Sequence, residues 1–461
     1  MPMSQRVKTP KIPLDRRRTT FQEVAQTITP EEARQEAERC LQCKNPPCVK
    51  GCPVGVPIPE FIAQVARGDF GKAAETILAK NALPAVCGRV CPQESQCEGV
   101  CIRGVKAEPL AIGMLERFVA QFAPEQSGPG EPVPELRGKK VAVIGSGPAG
   151  LTAAADLAKA GMQVTVFESL HAAGGVLRYG IPEFRLPKAI LEAEIEAIKA
   201  LGVEIKLNTL VGKTVTLDDL RAQGYQAFFI ASGAGLPSFL EIPGENLNGV
   251  YSANEFLTRV NLMRAYESKV SGTPVRVGKR VAVFGAGNVA MDAARTALRL
   301  GAEDVRIVYR RSRAEMPARL EEIENAEEEG VKFELLVSPV EFVGDERGWV
   351  KAVVLQKMEL TEPGPDGRRR PVPIEGSEYT LPIDTAIIAI GQSPNPILFQ
   401  SIPELQLGPK GNVVVDAEGR TNIPDVWAGG DAATGAATVI QAMGAGRTAA
   451  RSIINYLSTE V

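Results

Sequence analysis

Histidine is almost missing from this chain of 461 residues: His171 stands alone, which excludes any site built from several imidazoles. Cysteine is missing everywhere outside one window, since all eight cysteines lie between Cys40 and Cys101. No excess of basic charge exists, the net charge being −3, and a nucleic-acid binder would normally present a basic face. No run reaches the eighteen or more apolar residues of a membrane span. The opening MPMSQRVKTP has no apolar stretch behind its basic residues, so it does not read as a secretory signal. These absences lead to the expectation of a cytoplasmic protein. What is present has a globular balance, 44% apolar and 23% charged. The length is too great for one compact core and suits two or three domains.

The N-terminal part, to about residue 122, reads as a helical module punctuated by loops, with helical spacing in EEARQEAERC and FIAQVARGDFGKAAETILAKN. A Pro-, Gly- and Glu-rich stretch from Ala123 to Lys140 has the composition of a linker. The texture then changes to two strand–glycine-turn–helix units, VAVIG at Val141–Gly145 and VAVFG at Val281–Gly285. Such a pair implies two dinucleotide-binding domains with parallel sheets. The acidic run EEIENAEEEG, Glu321–Gly330, reads as the solvated face of a helix.

At the first unit, Gly145, Gly147, Pro148, Ala149 and Gly150 fit G-x-G-x-x-G directly after a predicted strand. The glycines allow the tight turn, the approach of amides to a pyrophosphate and close helix–strand packing. Glu168 ends the next strand, where a carboxylate accepts from a ribose diol and repels a 2′-phosphate. That suits FAD or NAD. At the second unit, Gly285, Gly287, Asn288, Val289 and Ala290 repeat the turn with alanine third. Its following strand ends in Arg310 and Arg311, with Arg313 two residues on. Guanidinium groups grip a 2′-phosphate, so this site suits NADP(H).

The cysteines run Cys40-x2-Cys43-x4-Cys48-x3-Cys52-Pro53, then Cys87-x3-Cys91-Pro92-x4-Cys97-x3-Cys101. Short spacings and Cys-Pro punctuation resemble ferredoxin motifs, in which the fourth cysteine of a run serves the other cluster. Zinc is the rival, but it would favour paired C-x2-C knuckles, and only one C-x2-C occurs.

Across nearly its whole length the chain resembles the small (β) subunit of NADPH-dependent glutamate synthase. It is equally similar to the FAD/NADP-binding large subunit of electron-bifurcating ferredoxin:NADP oxidoreductase, and its N-terminal part resembles that of dihydropyrimidine dehydrogenase. The carrying motifs are CLQCKNPPCVKGCPVGVPIPEFI, VCGRVCPQESQCEGVC, VAVIGSGPAGL, GGVLRYGIPEFRLPK, VAVFGAGNVAMDAAR, VYRRSRAEMPA and WAGGDAATGAATVIQAMGAGR. The resemblance implies an α/β fold of the two-dinucleotide-binding flavoprotein type behind a helical double [4Fe-4S] domain. The expected division is an iron-sulfur domain over 1–135, an FAD domain over 136–252 and 376–461, and an NADP(H) domain over 253–375. It chooses FAD for the first site, adding Gly430, Asp431 and Thr438, and lays Gly175, Leu177, Arg178, Gly180, Ile181 and Pro182 along the flavin. Cys40, Cys43, Cys48 and Cys101 would hold one cluster. Cys52, Cys91 and Cys97 would hold the other, with Glu116 as fourth ligand and Cys87 free; the alternative makes Cys87 the ligand.

The function so implied is an oxidoreductase subunit that exchanges hydride between NADP(H) and FAD and passes single electrons through two [4Fe-4S] clusters to a partner. No residue is assigned acid–base catalysis. The partner is expected to be a glutamate synthase large subunit or, in a bifurcating enzyme that also serves ferredoxin, a small flavin/[2Fe-2S] subunit. A further alternative is an electron-relay or scaffold subunit of a larger redox complex.

Overall fold

The computed structural model describes residues 5–123, 133–267, 271–364, 367 and 369–459. Positions 124–132 of the expected linker lie outside the described residues.

The N-terminal module is helical, as the sequence pattern predicts. Thr29 and Glu32 close a capping box over the helix Pro30–Ala37. The long helical stretch after Cys52 divides into Ile58–Arg67 and Phe70–Leu78 at Gly68, which takes φ +84°, a conformation open to glycine. Two further helices, Pro84–Val90 and Ile112–Val119, cross closely. A Cβ on Gly88 would lie 2.5 Å from the Arg117 amide nitrogen, and one on Gly113 would lie 2.3 Å from Gln93 Nε2.

Behind this module lie two five-stranded parallel sheets. The first is ordered Val426–Ala428, Tyr225–Ile230, Lys140–Ile144, Gln163–Phe167, Glu204–Lys206. The second is ordered Val250–Ser252, Thr385–Ile388, Arg280–Phe284, Asp304–Tyr309, Lys332–Leu335. Beyond their first residues, Lys140 and Arg280, their central strands are apolar and buried, as strands covered on both faces must be. Two edges of the expected division fall inside the second sheet: Val250–Ser252 precedes residue 253, and Thr385–Ile388 follows residue 375. Both are short strands at the crossings between the two halves, where sequence texture does not change. Leu236–Pro237 and Gln392–Ser393 pair as a small antiparallel ribbon between those halves. An antiparallel sheet built on Val337–Gly344 and Val350–Leu360 extends the second half.

The iron-sulfur module and the first dinucleotide half share one apolar core that runs from Phe61 and Leu115 through Val141 and Leu151 to Met443. The second half has its own core, against which Phe21 of the N-terminal arm packs.

The acidic run meets its expectation only in part: it is helical, and Glu324, Glu327 and Glu328 are exposed, but two of its carboxylates are not. Its helix, Leu320–Glu328, buries Glu322, and Glu329 beyond it is wholly buried. Glu322 pairs with Arg295 and with Arg185, while Glu329 accepts from Arg295 and Arg299 at 2.6–3.0 Å. The carboxylates enter the interior because buried guanidinium groups await them there.

Candidate cofactor and electron-transfer site

At the first glycine turn, Gly145 takes φ +106°, and a Cβ there would lie 2.4 Å from the Ala231 carbonyl oxygen. A Cβ on Gly150 would lie 2.0 Å from the Gly145 oxygen, so this helix can approach its strand only without a side chain. Gly147 faces open space, which leaves room for a phosphate at the N-terminus of the helix Pro148–Lys159. Gly175 covers the turn with φ +52°, its α-carbon so placed that a Cβ would sit 2.8 Å from Gly147 Cα.

Glu168 is buried and accepts from the Ser146 amide at 3.0 Å and from the Leu170 amide at 2.8 Å. Gly430 (φ +63°) lies against Ala149, and Asp431 beyond it accepts from the Ala437 amide at 3.2 Å. Burial raises the Asp431 carboxyl above its usual range. Tyr179 is pushed up to about 12 by burial, reinforced by the charges of Glu168 and Asp431. Three stretches distant in sequence therefore meet around one cleft. Within the expected flavin segment Leu177, Ile181 and Pro182 are buried. Arg178 instead holds its own loop, donating to the Ala173 carbonyl at 2.6 Å and pairing with Glu192. Thr438 begins the helix Val439–Thr459 by exchanging hydrogen bonds with Gln441. Gly180 leaves its carbonyl to Asn261 Nδ2, 3.2 Å away on a helix of the other half.

The second turn repeats the first. Gly285 takes φ +128°, a Cβ on it would lie 2.3 Å from the Ala389 oxygen, and Gly287 is open. Asn288 begins the helix Asn288–Arg299, in which Val289 is exposed and Ala290 buried. Arg310 is exposed and Arg311 partly buried; Arg313 is exposed but paired with Glu327. The three expected cations are thus not equivalent.

The cysteines separate into two sets. Cys40, Cys43, Cys48 and Cys101 are half-buried. Burial and then the neighbouring Cys101 and Cys40 thiols push Cys48 up to about 11. Burial also raises Cys40, next to Cys101 and Cys43. Gln42, a non-glycine residue at φ +47°, turns the chain between the first two sulfurs. The other set gathers the half-buried Cys52 and the buried Cys87, Cys91 and Cys97 around Glu116. Burial raises Cys52 and Cys97, and the Glu116 charge adds to both. Backbone amides of Gln42, Val49, Val56 and Glu98 favour the thiolates of Cys40, Cys48, Cys52 and Cys97, the hydrogen bonding that tunes iron-sulfur centres. Among the described residues no group of three converges as around a single metal ion, whereas the ligands of a four-iron cube stand at its separate corners.

Glu116 is buried, accepts from Asn81 Nδ2 at 2.8 Å, and is pushed up to about 7 by that burial. Cys87 is 1% exposed and lies 3.7 Å from Asn81 Oδ1 and 3.5 Å from Met443 Sδ. Both candidates for the fourth position therefore face the same interior. Donor chemistry and placement fit two clusters, FAD and NADP(H).

Residues outside the expected site prove central to the arrangement. Arg185, in the stretch after the flavin segment, grips Asp292 in the second half through two hydrogen bonds of 2.7 and 2.8 Å. Glu194 accepts from the Ala85 and Val86 amides at 2.6 and 3.2 Å, capping the helix that leads to Cys87 and Cys91. Arg319 joins the second glycine turn to the cysteine module. Only the presence of Arg319 one residue beyond VYRRSRAEMPA hinted at it; its partners in the cysteine module lie more than two hundred positions away.

Family comparisons agree with this geometry. Residues 17–128 match the model of dihydropyrimidine dehydrogenase domain II, 4Fe-4S cluster, and residues 139–446 match pyridine nucleotide-disulphide oxidoreductase. The NADP(+)-dependent formate dehydrogenase subunit beta of Moorella thermoacetica is 44% identical over 89% of this chain, which spans 60% of that relative's length. The glutamate synthase [NADPH] small chain of Escherichia coli (strain K12) is 37% identical over 98% of this chain and 97% of its own. Mycobacterium tuberculosis FprA (His57Gln mutant) shares the fold with a TM-score of 0.59, at 24% identity over 70% of this chain and 85% of that one. No helix among the described residues is long and apolar enough to cross a membrane. The protein is an NADPH-dependent oxidoreductase with sites for FAD, NADP(H) and [4Fe-4S] clusters. It belongs to the pyridine nucleotide-disulphide oxidoreductase family, in the form that joins a 4Fe-4S domain to the dinucleotide-binding halves, as the glutamate synthase small chains do.

Proposed function

We propose that this chain takes reducing equivalents from NADPH and delivers them singly to a partner subunit through the buried cysteine set first and the half-exposed set second. One observation carries the order. The helix Val439–Thr459 starts at Thr438 in the FAD fingerprint and packs on the buried set: Met443 touches Cys87, and a Cβ on Gly444 would lie 3.0 Å from the Pro53 oxygen. The half-exposed set, Cys40, Cys43, Cys48 and Cys101, then serves as the outlet.

Bound FAD supplies the exchange between hydride and single electrons. The protein's residues position and tune. Glu168 orients the adenosine ribose, Gly145–Gly150 the pyrophosphate, Asp431 and Thr438 the ribitol side, and Gly175–Pro182 the ring. Gly285–Ala290 receive the second dinucleotide, and Arg310 and Arg311 its 2′-phosphate. In the buried set Cys52, Cys91, Cys97 and Glu116 are the ligands and Cys87 is free. Support comes from the Asn81 hydrogen bond, which presents the carboxylate, and from the contact of Cys87 with Met443. In this reading the domains follow the division expected from the sequence except that Val250–Ser252 and Thr385–Ile388 join the NADP(H) half. The location is cytoplasmic, consistent with eight cysteines outside any disulfide.

The partner favoured is a glutamate synthase large subunit, because this chain spans 97% of a small chain of that enzyme. The native complex should oxidise NADPH with glutamine plus 2-oxoglutarate and not with ferredoxin plus NAD; the reverse result hands the role to a bifurcating enzyme. Glu116→Ala should lose half of the iron and one of two cluster EPR signals, while Cys87→Ala keeps both. The opposite pattern makes Cys87 the ligand.

A further inference from the structure

Arg319 belongs to two sites at once. Its segment is tied to both ends of the second glycine turn: the Ala318 amide donates to the Ala286 carbonyl at 3.2 Å, and the Arg319 amide donates to Asn288 Oδ1 at 2.9 Å. A diphosphate bound on the helix that Asn288 begins would lie beside the second of these bonds. The same segment starts at Arg310 and Arg311, the cations placed for a 2′-phosphate. In the reading given above, both ends of the segment therefore border the second dinucleotide.

The side chain leaves that site entirely. The guanidinium, with the side chain 6% exposed, enters the cysteine module. It donates to Gln93 Oε1 at 2.9 Å and to the Arg89 carbonyl at 3.3 Å, and pairs with Glu94 at 3.3 Å and with Glu321, two residues on in its own segment, at 3.2 Å. Gln93 stands between Cys91 and Cys97. Its Nε2 donates to the Cys87 carbonyl at 3.2 Å, and its own carbonyl accepts from the Glu98 amide at 2.9 Å. Gln93 also fills the notch left by Gly113 on the helix that carries Glu116. One hydrogen bond thus joins a buried cation, attached to the nucleotide turn, to Gln93, which lies between Cys91 and Cys97 and donates to the Cys87 carbonyl. In an interior of low dielectric, a shift of that cation changes the energy of adding charge to the set.

We propose that Arg319 couples the second dinucleotide site to the buried cluster site, so that nucleotide affinity depends on the redox state of the cluster there. The proposal rests on the ligand reading given above. Arg319 is a positioning residue, touching neither nucleotide nor cluster ligand. The coupling is reciprocal by linkage: occupancy must move the cluster's potential by the same factor that reduction moves nucleotide affinity.

The test uses the holoprotein and 2′-phospho-ADP-ribose, a redox-inert probe that keeps the pyrophosphate and 2′-phosphate. Its dissociation constant should differ between oxidised and dithionite-reduced wild type by about fivefold or more, the lower range of measured couplings. EPR-monitored titration should show one cluster's midpoint moving with the probe and the other's staying put. In Arg319→Gln the ratio should fall to near one with iron and FAD content retained. Gln93→Met, which leaves Arg319 in place but removes its acceptor, should do the same and serves if Arg319→Gln loses iron. A wild-type ratio of one, or a full ratio kept in the variants, overturns the coupling. Absence of two cluster signals, or of probe binding to the oxidised protein, instead removes the underlying reading.

Discussion

Three arginines were expected to hold the 2′-phosphate, and their surroundings now separate them. Arg310 is exposed and forms no ion pair among the described residues, and Arg311 sits partly buried beside Tyr309. Arg313 is committed to Glu327 on the surface. A charge-assisted hydrogen bond is worth about 1.5–3 kcal/mol. Arg310→Gln and Arg311→Gln should each raise KM for NADPH roughly tenfold or more, with kcat unchanged because the lost contact is uniform binding. KM for NADH should not move. Arg313→Gln gives up only an exposed pair and should change KM by about fivefold at most. Steady-state kinetics with both nucleotides decides it; equal effects at all three positions would mean that the ion pair opens when nucleotide binds.

At the scale of elements, the parts most legible in the sequence were those whose signal is local. A glycine turn announces itself because backbone geometry demands it: Gly145 and Gly285 both place bare α-carbons against a neighbouring carbonyl. Cysteine spacing is equally local. In the acidic helix, counting charges cannot tell that Glu322 and Glu329 meet buried arginines, because Arg295 and Arg299 lie some thirty residues earlier. Arg185, Glu194 and Arg319 escaped for the same reason, since each acts on a partner brought near only by folding. One consequence concerns the crossing of the helices Pro148–Lys159 and Val439–Thr459. A Cβ on Gly446 would lie 2.3 Å from the Ala149 oxygen, which is backbone and cannot swing away. Gly446→Ala should push the two FAD-binding helices apart, costing about 1–3 kcal/mol. The readout is FAD retained after gel filtration together with Tm; Gly71→Ala, at a site with open space around it, is the control.

Across the whole molecule, the second dinucleotide half is fastened to the rest by buried charge as well as by apolar packing. Arg299 donates to the Thr20 carbonyl of the N-terminal arm at 3.0 Å, and Phe184 of the first half lies under both Arg299 and Arg295, 3.8 and 4.8 Å from its ring centre. Glu329 is the carboxylate that lets these two guanidiniums share one interior. Burial would raise its pKa, but hydrogen bonds from Arg299 and Arg295 outweigh that and hold it below the usual range. Glu329→Gln would leave Arg299 without its paired carboxylate and Arg295 with Glu322 alone, and removing one partner of a buried pair costs about 3–5 kcal/mol. Glu267→Gln, which breaks the exposed pair with Arg264, should cost no more than about 1 kcal/mol. Because the native carboxyl is depressed, its stabilisation is complete above the unfolded-state value of about 4.3 and fades as pH falls below it. Urea unfolding should therefore show a gap between wild type and Glu329→Gln that is constant above about pH 5 and narrows beneath the carboxylate range. The loss should appear as an earlier transition of the second half, whose core is separate. Equal midpoints for Glu329→Gln and Glu267→Gln would show that apolar packing alone holds that half in place.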